Sequence, residues 1–202
     1  MNYRAYSPLL LVFLMSLFGG EALAARNGGE QFDGTVNSFG WLKRPIAVNH
    51  VQIRNVQEKQ VGLSQFNGKI ILLNLWATWC PPCIKELPAL DRLQQRLGKD
   101  NFEVVAISLD DDVKLAGEMF FDTLLIKSMA LYFESAENLG RDFPVDVVPA
   151  SFLIDRKGQA VGVIRGYVDW DSAETDVVIK RLIAGVTAAS LRAEKAQQQQ
   201  AE

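Results

Sequence analysis

Both cysteines of the chain, Cys80 and Cys83, lie in one Cys-Pro-Pro-Cys motif. Cysteines with this spacing at the start of a helix lie on one face, where they can form a disulfide and open it again. A thiol at the helix cap faces unpaired backbone N–H groups and the positive end of the helix dipole, which lower its pKa. The motif therefore predicts a redox pair in which Cys80 attacks and Cys83, one turn further in, resolves the mixed disulfide.

Other roles for the motif find less support in the sequence. A structural disulfide across so short a loop removes little entropy from the unfolded chain. A zinc site lacks ligands, because there is no second cysteine pair and His50 is the only histidine. Asp110, Asp111 and Asp112 precede a predicted helix, and we expect them to cap it. Because adjacent carboxylates do not converge on one point, we expect no metal site there. We expect no other cofactor. A third alternative, a module that binds a partner without redox turnover, is not excluded by the sequence.

Composition and charge favour a globular domain with one core. The chain has 202 residues, of which 49% are hydrophobic and 22% charged, as in globular proteins that fold. The formal net charge is −3, and the lysines and arginines form no cluster that could neutralise phosphates. We therefore expect no nucleic-acid partner.

The amino-terminal residues have the pattern of a secretory signal peptide. Arg4 precedes an apolar run, and Ala22 and Ala24 supply the small residues of a cleavage site. The run is shorter than the roughly 20 residues that cross a bilayer. We expect residues 1–24 to be cleaved, and the alternative is an uncleaved signal that tethers the domain. Either way the domain is periplasmic or otherwise exported, where a disulfide can persist.

The rest of the chain divides into three segments. Residues 25–45 contain several glycines and little periodicity, which predicts a linker. Residues 46–186 contain the apolar periodic runs and form the predicted domain. Residues 187–202 are polar and of low complexity, which predicts a frayed tail.

Strand-like and helix-like runs alternate within the predicted domain. In chain order they are a hairpin at 51–63, a strand at 70–77, a helix from the cysteines to Gly98, a strand at 102–109, a helix at 113–126, a strand at 129–133, a short helix at 136–142, strands at 147–154 and 160–164, and a helix at 172–184. This order predicts an α/β fold with a central mixed sheet flanked by helices. The turn that carries the cysteines then lies at the carboxyl edge of the sheet, where such folds place their sites.

Several separate motifs of the chain belong to one family pattern. They are Gly68-Lys69, Trp76-Ala77-Thr78-Trp79-Cys80-Pro81-Pro82-Cys83, Glu86-Leu87-Pro88, Val148-Pro149, Phe152-Leu153-Ile154-Asp155, Gly158 and, more weakly, residues 166–170. The cysteine motif resembles the active site of the thioredoxin superfamily, and the wider pattern resembles its exported bacterial branch of the TlpA/ResA type. The resemblance covers residues 51–184 and implies a thioredoxin fold.

The resemblance also implies site residues beyond the cysteines. Pro149 would be the cis-proline that faces the disulfide, and it would leave the backbone of Val148 free to pair with an extended substrate. The alternative for Pro149 is a proline that begins a strand. Glu86 matches an acidic residue of this branch that would exchange protons with Cys83 or raise the thiol pKa values, and the alternative is a solvated glutamate. We expect Trp79 to shape the apolar surface beside the cysteines.

Two positions depart from the family pattern. Thioredoxins have a buried carboxylate on the central strand, where this chain has Asn74, whose amide cannot take a proton. The branch that serves cytochrome c maturation often has an acidic residue soon after the cis-proline, whereas this chain has Ala150-Ser151-Phe152. The chain therefore lacks an acidic residue that is typical of the branch serving cytochrome c maturation.

The resemblance implies a thiol-disulfide oxidoreductase that reduces protein disulfides, in cytochrome c maturation or at the cysteines of copper sites. Its partners would be protein thiols and disulfides, with a membrane electron-donor thiol protein that recharges the pair, and we expect a monomer. An oxidant that donates disulfides is one alternative. A redox-silent binding module or chaperone is the other.

Overall fold

The computed structural model describes residues 39–98, 100–144 and 146–201. The elements in chain order are strands β1 (Gly40–Ala47), β2 (Gln52–Asn55), β3 (Gln60–Gly62) and β4 (Ile70–Trp76), helix α1 (Pro81–Leu97), strand β5 (Phe102–Ser108), helix α2 (Val113–Gly117), strand β6 (Ala130–Phe133), helix α3 (Ala136–Leu139), strands β7 (Ala150–Ile154) and β8 (Gln159–Arg165), and helices α4 (Ala173–Ile183) and α5 (Ala188–Ala201). The predicted signal peptide and residues 25–38 of the predicted linker lie outside the described residues.

The strands form one eight-stranded sheet in the order β1-β8-β7-β4-β5-β6-β2-β3. Strands β4, β5 and β6 are parallel, and the other neighbours pair antiparallel. Apolar side chains of α1 and α4 pack on one face of the sheet, and those of α3 pack on the other. This arrangement confirms the predicted α/β fold with a central mixed sheet flanked by helices.

Both faces of strand β4 are apolar, as expected for a strand in the middle of the sheet with a core on each side. Its residues alternate between the two cores, with Ile70, Leu72 and Trp76 facing α1 and Ile71, Leu73 and Leu75 facing the other side. Asn74 is the one polar residue of the strand and is also buried. The strand ends at Trp76, and the chain enters α1 a few residues later, so the cysteines lie at the end of the most buried strand.

Helix α1 has Cys80 as its amino-terminal cap and prolines at its first two positions, where a missing N–H costs little. Its buried face includes Cys83 and three leucines about one, two and three turns further on, Leu87, Leu90 and Leu93. The helix ends before Gly98, as predicted, and the Gly98 N–H donates to the Gln94 carbonyl at 2.7 Å. A buried helix thus begins at the cysteine turn and is fixed along its length to the sheet.

The helix predicted at 113–126 is shorter in the structure. Asp112 caps α2 as expected, with its carboxylate accepting from the Leu115 N–H at 3.0 Å. The α-helix then changes to a π-helical turn over Glu118–Thr123. This wider turn contains Phe120, which is fully buried and stacks on Trp76 with ring centroids 5.8 Å apart. Packing on Trp76 therefore overrides the regular helical pattern.

Both ends of the described chain contain more regular structure than the sequence predicts. Strand β1 begins at Gly40, inside the predicted linker, and pairs with β8. The frayed tail predicted at 187–202 is wrong for residues 188–201, which form α5. These residues are mostly strong helix formers, and their apolar anchor, Leu191, is only 6% exposed. The Arg192 guanidinium also donates to the Leu42 carbonyl of β1 at 3.1 Å.

We expect Leu191→Ala to lower the free energy of unfolding by about 2 kcal/mol, because it removes the buried apolar side chain that packs α5 against the core. Val177→Ala is the matched control, since Val177 lies on α4 but is 56% exposed, and it should change stability by less than about 0.5 kcal/mol. Urea unfolding of both variants measures the difference. Equal effects would show that α5 does not contribute through Leu191.

Candidate active site

Cys80 and Cys83 form a disulfide at the amino end of α1, with their Cα atoms 5.3 Å apart. The Cys80 Sγ accepts a hydrogen bond from the Cys83 N–H at 3.3 Å. Cys80 is 4% exposed, whereas Cys83 is fully buried. A partner that approaches from solvent can therefore reach Cys80 but not Cys83.

The predicted substrate-binding residues lie at the same end of the sheet. Trp79 is 67% exposed directly before Cys80. The Val148–Pro149 peptide bond is cis. Because β7 runs antiparallel to β4 with Ala150 opposite Leu75, Pro149 reaches the end of the sheet from which the cysteine turn leaves. Val148 is half-buried and packs against the core that contains both cysteines.

Glu86 lies one turn beyond Cys83 on α1 and is only 1% exposed, so it is not a solvated helix residue. Its Oε1 accepts from the Asn74 Nδ2 at 2.7 Å. Its Oε2 accepts from the Val168 N–H at 3.2 Å and from the Trp170 indole N–H at 3.3 Å. The carboxyl group is thus held between the central strand and the segment that follows β8.

Burial raises the pKa of Glu86 from its usual 4.5 to about 7, because the loss of solvation outweighs the hydrogen bonds from Asn74, Val168 and Trp170. A carboxyl group with this pKa can either hold or accept a proton near neutral pH. Glu86 therefore has a pKa near neutrality one turn along α1 from Cys83, and its part in proton exchange with Cys83 stays a prediction.

Three residues that form hydrogen bonds with Glu86 or with Asn74 were not identified from the sequence, namely Ser151, Val168 and Trp170. The Asn74 Nδ2 also donates to the Ser151 Oγ at 3.0 Å, across the pairing of β4 with β7. Val168 and Trp170 lie in the segment 166–170. Its match to the family pattern was the one sequence signal that could have pointed to these residues. The hydrogen-bonding role of that segment depends on the fold and is not visible in the local sequence.

An open groove of about 800 Å³ lies away from the predicted site residues. It is lined by Val56, Glu58, Asp111, Asp112, Val113, Lys114, Gly117, Glu118, Phe121 and Asp122. No group of His, Cys, Asp or Glu side chains that could hold a metal ion is found among the residues that the structure describes. Nor is any helix in that part of the chain long and apolar enough to cross a membrane.

The disulfide lies between the end of β4 and the start of α1, and β7 begins directly after the cis-proline, Pro149. This arrangement is that of a thioredoxin-fold protein. The chain belongs to the Redoxin family, whose family model matches residues 47–179. This membership confirms the resemblance to the thioredoxin superfamily.

Relatives of the chain are thiol-disulfide exchange proteins. Thiol-disulfide oxidoreductase ResA of Bacillus thuringiensis is 31% identical over 118 residues, which span 56% of this chain and 65% of the relative. Thiol:disulfide interchange protein DsbE of Pasteurella multocida is 32% identical over 159 residues, or 78% of this chain and 83% of the relative. The crystal structure of a thioredoxin-family thiol:disulfide interchange protein from Chlorobium tepidum matches with a TM-score of 0.58 and 26% identity, over 69% of this chain and 97% of that one.

The raised pKa of Glu86 predicts a pH-dependent stability. Between pH 4.5 and about 7 the folded state holds a proton on Glu86 that the unfolded state has released. The contribution of Glu86 to stability is therefore fully present below pH 4.5 and is lost as the pH rises through about 7.

Urea unfolding of the oxidised protein and of Glu86→Gln across this pH range tests the prediction. The stability of the unchanged protein relative to the variant should fall by an amount on the order of 3 kcal/mol, because the amide does not titrate. The other titrating groups contribute equally to the pH dependence of both proteins, so their contributions cancel in the difference between the two unfolding free energies. Parallel pH curves would contradict the raised pKa.

Proposed function

We propose that this protein is a thiol-disulfide oxidoreductase that reduces disulfides of partner proteins. The observation that carries the proposal is the placement of the pair, with the Cys80 sulfur at the amino-terminal cap of α1 and Cys83 buried behind it. A thiolate at such a cap is stabilised by the backbone N–H groups and the helix dipole. The names of the ResA and DsbE relatives support the same activity.

The reaction begins with both cysteines reduced. The Cys80 thiolate attacks one sulfur of a partner disulfide, forms a mixed disulfide and releases the other partner sulfur as a thiolate. The Cys83 thiolate then attacks the Cys80 sulfur and releases the second partner thiolate. The partner disulfide gains two electrons, and the Cys80–Cys83 disulfide forms. A donor dithiol returns the two electrons by the same exchange in reverse.

Glu86 serves the second step of this reaction. Cys83 must lose its proton before it can attack, and it is buried where bulk water does not reach its side chain. The carboxylate form of Glu86, one turn along the same helix face, accepts that proton and returns it when the pair is reduced again. Its pKa of about 7 allows both directions of transfer near neutral pH.

The partner binds across a surface formed by Trp79 and Val148, with the buried Pro149 beneath it. Trp79 offers an exposed aromatic face beside Cys80. Val148 and Pro149 lie at the open end of β7, where an extended segment of a partner can pair with the backbone. This surface brings a cysteine of the partner to the one reachable sulfur of the pair.

The compartment and the electron donor follow from the same proposal. The signal peptide predicted at residues 1–24 exports the domain to the periplasm or an equivalent compartment, cleaved or as a tether. The pair is recharged there by a membrane electron-donor thiol protein, and the protein acts as a monomer. Substrates of cytochrome c maturation or cysteines of copper sites are the targets that the family resemblance implies.

Cysteine variants test the mechanism. Cys83→Ser should retain a covalent adduct on Cys80, because no second thiol is present to resolve it, and incubation with an aromatic disulfide such as Ellman's reagent should leave about one label per chain. Mass spectrometry and non-reducing gels measure the adduct.

Cys80→Ser is the matched control for the trap. It should form far less adduct because Cys83 is buried, and the double variant should form none. The same trap in the exporting compartment should capture partner proteins that are released by dithiothreitol. Equal labelling of the two single variants would contradict the assignment of Cys80 as the attacking residue.

A further inference from the structure

The turn that carries Cys80 leaves β4 at Trp76 and enters α1 at Pro81. Within the turn, the Cys80 N–H donates to the Ala77 carbonyl at 3.1 Å. Trp79, the residue before the cysteine, points its surface to solvent. The position of the Cys80 sulfur therefore depends on what fixes the backbone of residues 77–79.

One carboxylate from the neighbouring strand fixes this turn. Asp110 follows β5, and its two oxygens accept the Thr78 N–H at 2.9 and 3.2 Å. The Thr78 hydroxyl donates to the Asp110 Oδ1 at 2.7 Å. The Asp110 Oδ2 also accepts from the hydroxyl of Ser108, a fully buried residue at the end of β5, at 2.7 Å.

These bonds join the turn to the rigid part of the sheet. The Ser108 Oγ in turn accepts the Asp110 N–H at 3.1 Å, so the carboxylate is itself held in place. The Leu109 N–H donates to the Trp76 carbonyl at 2.9 Å, beside the same contact. A charged carboxylate with several donors makes stronger hydrogen bonds than a neutral acceptor, which suits a contact that must not move.

We propose that Asp110 is a positioning residue for the redox reaction, which holds Thr78 so that the Cys80 sulfur stays at the amino-terminal cap of α1. The inference rests on the proposed function and deepens it, because it assigns part of the reactivity of Cys80 to a residue outside the motif. The sequence offered Asp110 only as part of a helix-capping acidic run. In the structure Asp112 caps α2, and Asp110 binds the cysteine turn.

Positioning and simple electrostatics predict opposite effects when Asp110 loses its charge. If Asp110 acted only as a nearby negative charge, its removal would favour the Cys80 thiolate and lower the pKa of that thiol. If Asp110 holds the turn, its loss moves the sulfur away from the Cys83 N–H and the helix dipole, and the pKa of Cys80 rises. The direction of the change therefore separates the two roles.

The experiment measures the pH dependence of Cys80 alkylation by iodoacetamide in the reduced protein, together with the thermal unfolding temperature. Asp110→Asn should lower the thiolate fraction of Cys80 on the acid side of its titration by about three- to tenfold. Thr78→Val, which removes one donor and keeps the Asp110 charge, should act in the same direction with a smaller effect. Asp111→Asn is the matched control, since Asp111 is exposed and makes the same charge change one residue away.

A raised pKa of Cys80 in Asp110→Asn and Thr78→Val, with Asp111→Asn unchanged, supports the proposal. A lowered or unchanged pKa in Asp110→Asn overturns it, even if the unfolding temperature falls. If Asp110→Asn does not fold, Thr78→Val decides alone, and an unchanged pKa there overturns it. The proposed function fails separately, if the unchanged protein does not exchange its disulfide with glutathione.

Discussion

The backbone N–H groups in the first turn of α1 have no carbonyl acceptor within the helix. One of them, the Cys83 N–H, donates a hydrogen bond to the Cys80 sulfur at 3.3 Å. This contact requires the chain to leave β4 and begin a helix within a few residues. Strand β4 is buried on both faces, and α1 packs along the same core, so neither element can shift to relax the turn. The packing of β4 and α1 therefore fixes the position of the Cys80 sulfur.

A second constraint acts on the buried side of the helix. Glu86 lies inside the protein, and among the described residues its hydrogen-bond donors, Asn74, Val168 and Trp170, are all neutral. A buried carboxyl group with neutral donors is balanced between its two protonation states, whereas an arginine partner would hold it charged. Asn74 stands where thioredoxins have a carboxylate, so this chain places its titrating group on α1 and the neutral amide on the strand.

The elements that could be predicted from the sequence are those whose signal is local. The run from Ile70 to Trp76 is apolar throughout because β4 is covered on both faces, and Gly98 ends α1 where the periodicity ends. Strand β1 was missed because it pairs at the edge of the sheet and carries Lys43, Arg44 and Pro45. The contacts that hold Glu86 join residues up to 84 positions apart, which spacing along the chain cannot reveal.

The most direct test of the account is the reduction potential of the Cys80–Cys83 pair, equilibrated against glutathione or dithiothreitol and read by thiol alkylation. A reductant of protein disulfides should have a potential near or below that of thioredoxin, about −270 mV. A value near the −120 mV or so of strong oxidants would reverse the direction of electron flow. A pair that does not equilibrate with either reagent would contradict redox turnover altogether.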